Sequence, residues 1–157
     1  LSALEVSMAI ILAALTRSFL IAIISIGVFS LIVELPIDNI LFIFIFGFLS
    51  AFILGSLGFI AGLWAEKFDH TATVTNFIIT PLSFLSGVFY SIDKLPNFFQ
   101  TISHINPFFY MIDGFRYGFL GKSDGSITIG LIYLTILSIV MWYVAFLLYK
   151  KGYKIKS

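Results

Sequence analysis

Four long apolar stretches, separated by shorter polar segments, dominate the hydrophobic pattern of the chain. They cover residues 8–33, 39–65, 74–92 and 127–149. Each predicts a transmembrane helix, because about 20 apolar residues in a helix cross the hydrocarbon core and a lone strand cannot satisfy its backbone hydrogen bonds in lipid. The pattern therefore predicts an all-α membrane protein with four transmembrane helices.

The first two stretches carry individual polar or small residues. Arg17 divides an amphipathic start from the apolar remainder of the first stretch, and its long side chain can snorkel to the interface. The second stretch contains Gly47, Ser50, Gly55 and Gly62. Small residues of this kind favour close packing against a neighbouring helix.

Pro81 interrupts the third stretch near its middle. It either fixes a kink that helps packing or bends a helix that lines a transport pathway. Ser83, Ser86 and Tyr90 follow the helical spacing i, i+3, i+7, with Gly87 beside them. They predict a mildly polar face that either lines a conduit or packs against the second span.

Between the last two stretches the sequence predicts two short helices joined by a tight turn. They cover about residues 96–104 and 107–120. Asn106 is a good N-cap for the second helix, Pro107 suits its first position, and Gly121 ends it. This pair of helices is called the hairpin below.

The hairpin, residues 96–120, is too short to cross a bilayer twice. Its second helix would measure about 21 Å against a hydrocarbon core of about 30 Å, so we predict a re-entrant or interfacial element. Asp113 and Arg116 stand three positions apart on one face of this helix. An unpaired charge at mid-bilayer costs about 2.5–3.5 kcal/mol on insertion scales. The two residues either form a structural ion pair, meet a substrate headgroup or gate an opening, or snorkel to the interface.

Composition agrees with a membrane protein. The 157 residues are 60% hydrophobic and 11% charged, against about 25% charged in soluble domains. The net charge of +1 gives no basic field for nucleic acid, and no cysteine is present for a disulfide. One membrane domain over residues 1–157 accounts for the pattern. Because Leu1 stands where Met would and an apolar run follows within ten residues, we expect an N-terminal part to be missing.

Lysine and arginine residues are distributed unevenly between the two sides of the membrane. Four crossings place both termini on one side, which carries Arg17, Lys67, Lys150, Lys151, Lys154 and Lys156. The opposite side carries Lys94, Arg116 and Lys122. Because cytoplasmic loops collect basic residues, both termini and residues 65–73 are predicted to be cytoplasmic, and residues 34–38 and 91–126 to face outward.

Motifs for enzymatic chemistry are missing from the sequence. Residues 116–123, RYGFLGKS, superficially suggest a phosphate-binding loop, but Arg116 stands where that pattern requires glycine. His70 and His104 fall on opposite sides of the predicted membrane, and no HExxH motif occurs. We therefore predict no catalytic, metal or cofactor site on this chain.

Ionisable residues are also absent from residues 18–33, 39–65 and 74–92. Ion-coupled transport normally uses such groups within the spans, so the energy source is predicted to lie on another protein. An ion-coupled secondary transporter or channel is the alternative. A membrane scaffold that does not transport is a third interpretation.

Residues 81–96, PLSFLSGVFYSIDKLP, and 105–121, INPFFYMIDGFRYGFLG, resemble the signature region of ABC-2 type transporter permeases. In that family a proline-bearing span runs into Ser-Gly-x-Phe, then Leu-Pro, then an Asn-Pro-x-x-Tyr-x-x-Asp-x-x-Arg helix. The matching positions are Pro81, Ser86, Gly87, Phe89, Leu95, Pro96, Asn106, Pro107, Tyr110, Asp113 and Arg116. Ser91 stands near a position where the family often has proline.

The resemblance implies a six-span permease of which the last four spans are present. It also implies a cytoplasmic coupling helix that docks on a separate ATPase, with Leu1 and Glu5 in its flank. Such permeases work as dimers in the bacterial inner membrane with two ATPase subunits, which bind ATP and magnesium. They export lipids, glycans or drugs.

Overall fold

A computed structural model describes residues 2–64, 72–73, 75–88 and 92–152, which form helices and connecting segments without a strand. In chain order the α-helices of this part are α1 (Ala3–Ser30), α2 (Ile40–Trp64), α3 (Thr80–Phe84), α4 (Asn97–Ile105), α5 (Pro107–Leu120) and α6 (Ile127–Lys150). Among the described residues, α1, α2 and α6 are long and apolar enough to span a membrane. They have 28, 25 and 24 residues and measure about 42, 38 and 36 Å.

The first helix starts earlier than the predicted boundary at residue 8. Ser2 and Glu5 form a capping box, in which the backbone N–H of Glu5 donates to the Ser2 hydroxyl over 3.2 Å and the backbone N–H of Ser2 donates to the Glu5 carboxylate over 2.7 Å. The helix continues without a break past Arg17, whose side chain is exposed. The predicted amphipathic start and the apolar remainder are therefore one helix.

The third predicted span is much shorter than expected in the described part. A π-helical turn over Thr75–Ile79 leads into α3, and together they hold ten residues, or about 15 Å. Gly87 has a φ of 79° in the turn that follows, a left-handed conformation that glycine adopts easily and that ends a helix. The described residues therefore do not confirm one long helix over the third apolar stretch, residues 74–92. Residues 74 and 89–91 lie outside the described part.

Local signals in the hairpin sequence give its helix boundaries. The two helices are Asn97–Ile105 and Pro107–Leu120, within one residue of the predicted boundaries. The Asn106 side chain accepts a hydrogen bond from the backbone N–H of Phe108 over 3.0 Å. Gly121 follows the second helix with a φ of 66°.

The second helix of the hairpin is part of the helical core. α5 packs against both α2 and α6, and α1 also packs against α2 and α6. The buried core comprises Phe46, Leu49, Ile53, Ile92, Phe109, Tyr110, Met111 and Leu134. Because six of the 14 residues of α5 are buried and the helix packs on two membrane-length helices, the hairpin is inserted among them rather than resting on their ends.

Candidate functional site

Two glycines bring α5 into close contact with α2. A Cβ atom added at Gly114 would lie 2.0 Å from the Phe46 ring, and one at Gly118 would lie 2.8 Å from the backbone nitrogen of Ile43. The four-residue spacing of these glycines is the small-residue spacing of close helix pairs. The spacing is visible in the sequence as GFRYG, residues 114–118, although close packing was not predicted there.

Backbone N–H groups just before α2 donate hydrogen bonds to carbonyls at the C-terminal end of α5. The last carbonyls of a helix lack partners within the helix. Here the backbone N–H of Asn39 donates to the Gly118 carbonyl over 2.8 Å, and that of Asp38 donates to the Phe119 carbonyl over 3.3 Å. The C-terminus of α5 is therefore fixed to the loop that leads into α2.

Asp113 holds the loop between α5 and α6. Its buried carboxylate accepts hydrogen bonds from the backbone N–H groups of Asp124, over 2.8 Å, and Gly125, over 2.9 Å. These bonds to a charged acceptor are of the stronger kind. Asp113 therefore acts on the backbone of the loop as well as on a neighbouring charge.

Arg116 contacts two carboxylates. Its Nη1 atom lies 3.6 Å from Asp113 Oδ1 but only 2.7 Å from Asp124 Oδ2. The predicted pair of Asp113 and Arg116 is thus one side of a three-residue network. Asp124 was not predicted, because its position eight residues after Arg116 reaches the guanidinium only through the fold of the loop.

Three hairpin side chains donate hydrogen bonds to backbone carbonyls of residues 75–88, in the third apolar stretch. The Asn106 amide donates to the Leu82 carbonyl over 2.6 Å. The Ser103 hydroxyl donates to the Leu85 carbonyl over 2.9 Å. The Arg116 Nη2 group donates to the Gly87 carbonyl over 2.6 Å. We call these three side chains and their acceptors the clasp, because they join residues 75–88 to the hairpin.

The polar face predicted around Pro81 does not form a continuous helical stripe. The Ser83 hydroxyl donates to the Ile79 carbonyl over 2.8 Å, and the Ser86 hydroxyl donates to the Ser83 carbonyl. Because α3 ends at Phe84, Ser86 and Gly87 lie in the following turn, where Ser86 is buried. Both hydroxyls thus donate to backbone carbonyls three or four residues earlier in the chain. Tyr90 lies outside the described residues.

Tyr110 links the hairpin to α6. Its ring lies 5.1 Å from the ring of Tyr133, and a Cβ atom added at Gly130 would approach it to 3.1 Å. The Tyr133 hydroxyl donates to the Ile105 carbonyl at the turn of the hairpin over 2.8 Å. These contacts fix the hairpin to α6 as the glycines fix it to α2.

Glu5 and Leu1 were predicted to flank a coupling element. Glu5 caps the N-terminus of α1 through Ser2, as described above. Leu1 lies outside the described residues. Within the described residues, no group of three or more metal-ligating side chains lies close enough to hold a metal ion.

An apolar groove of about 450 Å³ runs between α1 and α2. Its walls include the stacked rings of Phe19 and Phe44, and Phe115 of α5 closes one side next to Gly47. None of the site residues predicted from the sequence lines it. The groove is therefore distinct from the clasp.

Comparison with known proteins gives consistent matches. The family model for ABC-2 type transporters matches residues 1–120. The inner membrane transport permease YadH of Escherichia coli is 38% identical over 109 residues, which are 69% of this chain and 43% of that protein. The chain therefore spans less than half the length of this relative.

Nodulation proteins J are more distant relatives. The protein from Sinorhizobium fredii is 27% identical over 62% of this chain and 37% of its own length. The protein from Rhizobium leguminosarum bv. viciae is 31% identical over 57% of this chain and 35% of its own length. No solved structure matches the chain.

Proposed function

Because the chain belongs to the ABC-2 type transporter family, we propose that it is part of the permease subunit of an exporter powered by a separate ATPase. The match of residues 1–120 to the family, together with the 38% identity to a transport permease, carries this proposal. Three long apolar helices in the described part support a multi-pass protein of the cell membrane. The subunit transports its cargo and does not itself carry out catalysis.

The cargo is a lipid, a glycan or a hydrophobic drug. The apolar groove between α1 and α2 supports contact with molecules of low polarity at the depth of the membrane. Outward movement is proposed from the resemblance to exporter permeases. The basic residues Lys150 and Lys151 at the end of α6 support a cytoplasmic C-terminus. The hairpin then lies on the outer half of the spans.

ATP and magnesium bind to the partner ATPase, and this chain holds no cofactor. The sequence of α2 contains no Asp, Glu, Lys, Arg or His. That of α6 contains only Lys150 of these types, at its C-terminal end, and that of α1 contains none after Arg17. Transport driven by an ion gradient normally needs these groups inside the spans. The driving force therefore enters through the cytoplasmic side, near the end of α1 that Glu5 caps.

A second permease protomer and two ATPase subunits complete the proposed transporter. In each protomer the segment around Pro81 supplies part of the remaining crossing, since its ten helical residues measure about 15 Å. With this crossing the chain has four spans, and the hairpin lies between the last two. Closure of the ATPases on ATP would tilt the spans and open a path outward.

Transport by reconstituted protein tests this proposal. The full-length permease is purified with and without its partner ATPase, and is placed in proteoliposomes with fluorescent lipid or drug cargo. We expect movement of cargo that needs the ATPase, ATP and magnesium. Transport that continues without ATP and stops when the proton gradient is collapsed would identify a secondary transporter instead. A permease that copurifies with no ATPase and moves none of the cargo classes would favour a scaffold.

A further inference from the structure

The segment of residues 75–88 is attached to the rest of the described structure through the hairpin. Its helix α3 contacts α5, but within the described residues it contacts none of α1, α2 and α6. Part of its apolar surface is exposed, since Phe77 is 77% exposed and Ile78 is 51% exposed. Within the described residues, packing on the long helices therefore does not hold α3 in place.

The clasp attaches residues 75–88 to the hairpin through hydrogen bonds. Each of its three donors is a side chain of the hairpin, and each acceptor is a backbone carbonyl of the segment. Ser103 is 0% exposed and Asn106 is 3% exposed, so water cannot readily replace these two bonds. Polar groups that lose their partners in apolar surroundings are strongly disfavoured, and the clasp therefore resists opening.

The hairpin end of the clasp is itself firmly held. Gly114 and Gly118 place α5 directly on α2, and Tyr133 of α6 donates to the Ile105 carbonyl beside Asn106. A movement of α2 and α6 is therefore passed to α5 by close packing. It reaches residues 75–88 through the three hydrogen bonds.

We propose that Ser103, Asn106 and Arg116 are positioning residues that make the 75–88 segment and the hairpin move as one body during the transport cycle. This inference rests on the proposed transport function. It gives the signature residues Asn106 and Arg116 a mechanical role that does not require contact with the cargo. It also assigns the same role to Ser103, which lies outside the signature.

Spin labels test the joint movement without relying on transport. The sequence contains no cysteine, so the double variant Phe84→Cys and Phe98→Cys gives labels at two exposed positions, one on each side of the clasp. The distance between the labels is measured in the full-length permease with its ATPase in lipid nanodiscs, without nucleotide and with ATP trapped. We expect the same distance distribution in both states. A distribution that shifts between the two states would show that the clasp opens, and would overturn the inference.

A single hydroxyl provides the functional test. Ser103→Ala removes one clasp bond, and Thr101→Ala on the same helix is the matched control, because the Thr101 hydroxyl donates to the Asn97 carbonyl of its own helix over 3.0 Å. Mutations within a coupling network change coupling by about 2- to 30-fold. We expect Ser103→Ala to lower the cargo moved per ATP hydrolysed by a factor in this range and to broaden the label distribution, with Thr101→Ala unchanged. Equal values for the two variants would contradict a positioning role.

The two proposals fail in different ways. If the wild-type complex hydrolyses no ATP and moves no cargo, the proposed function fails, while the width of the label distribution in Ser103→Ala against Thr101→Ala still reports on the clasp. If the wild type transports but the label distance changes with nucleotide, the clasp inference fails alone.

Discussion

Gly118 brings the backbones of α5 and α2 close together. An added Cβ atom would lie 2.8 Å from the backbone nitrogen of Ile43, and a backbone atom inside a helix cannot move aside as a flexible side chain can. We expect Gly118→Ala to lower the free energy of unfolding of the full-length permease by about 1–3 kcal/mol, the usual cost of overpacking. Thermal unfolding in detergent measures this change.

Gly62→Ala is the control for that substitution. It changes the same residue type within α2, but an added Cβ atom would meet nothing within 4 Å. We expect its unfolding midpoint to equal or slightly exceed that of the wild type, because alanine favours a helix over glycine. Equal losses in the two variants would mean that the glycine contact is not what limits the approach of the helices.

Asp113 and Arg116 provide a second prediction at the scale of residues. If they formed a simple ion pair, exchanging the two residues would restore the stability lost in either single neutralisation. The structure predicts no such rescue, because Asp113 also accepts two backbone hydrogen bonds and Arg116 also binds Asp124 and the Gly87 carbonyl. We expect the exchanged variant to be no more stable than Asp113→Asn, which itself should lose about 1–3 kcal/mol.

The same unfolding assay, applied to the two single variants and the exchanged one, decides the matter. A stability near that of the wild type for the exchanged variant would contradict the network.

The backbone partners of these two residues could not be predicted from the sequence. Gly87 lies 29 positions from Arg116, and only the folded arrangement of the third segment and the hairpin brings the two together.

Among the elements, α5 is the one whose boundaries the sequence predicted best. Asn106, Pro107 and Gly121 act through local backbone geometry, which is a property of a few neighbouring residues. The third span was predicted less well, because an apolar stretch has the same hydropathy whether it forms one long helix or a π-helical turn and a short helix. Hydropathy also gave no sign that α5 would pack between α2 and α6.

The N-terminus of α5 gives the prediction at the scale of elements. Asn106 has two roles, since its oxygen caps α5 through Phe108 and its amide donates to the Leu82 carbonyl. Loss of a cap costs about 0.5–2 kcal/mol, and a buried carbonyl left without its donor adds about 1–3 kcal/mol. We therefore expect Asn106→Ala to destabilise the protein well beyond a simple loss of a cap.

Ser126→Ala is the matched variant for this comparison. Ser126 caps α6 over a longer distance of 3.4 Å at an exposed position, and it has no second role there among the hydrogen bonds above. Thermal unfolding of both variants should show the larger loss for Asn106→Ala. If the two losses are equal, the bond to Leu82 contributes nothing to stability.

For the whole molecule, hydropathy predicted the membrane environment and the three long helices. Apolar side chains such as Ile23 and Ile132 are 66% and 57% exposed on the surfaces of these helices, which is the arrangement expected of helices surrounded by lipid. The sidedness, in contrast, rests on the distribution of a few basic residues. It cannot be read from helix packing, since the same bundle packs equally well in either orientation.

Labelling of single cysteines tests the sidedness directly, because the sequence contains no cysteine to react in the background. Lys122 in the loop after α5 and Lys151 just beyond α6 are both exposed and stand at opposite ends of α6. The basic residues at the C-terminal end predict that this end is cytoplasmic. In intact cells a membrane-impermeant maleimide should therefore label Lys122→Cys, and it should label Lys151→Cys only after the membrane is opened. The reverse pattern would invert the topology and contradict the predicted cytoplasmic position of the C-terminal end.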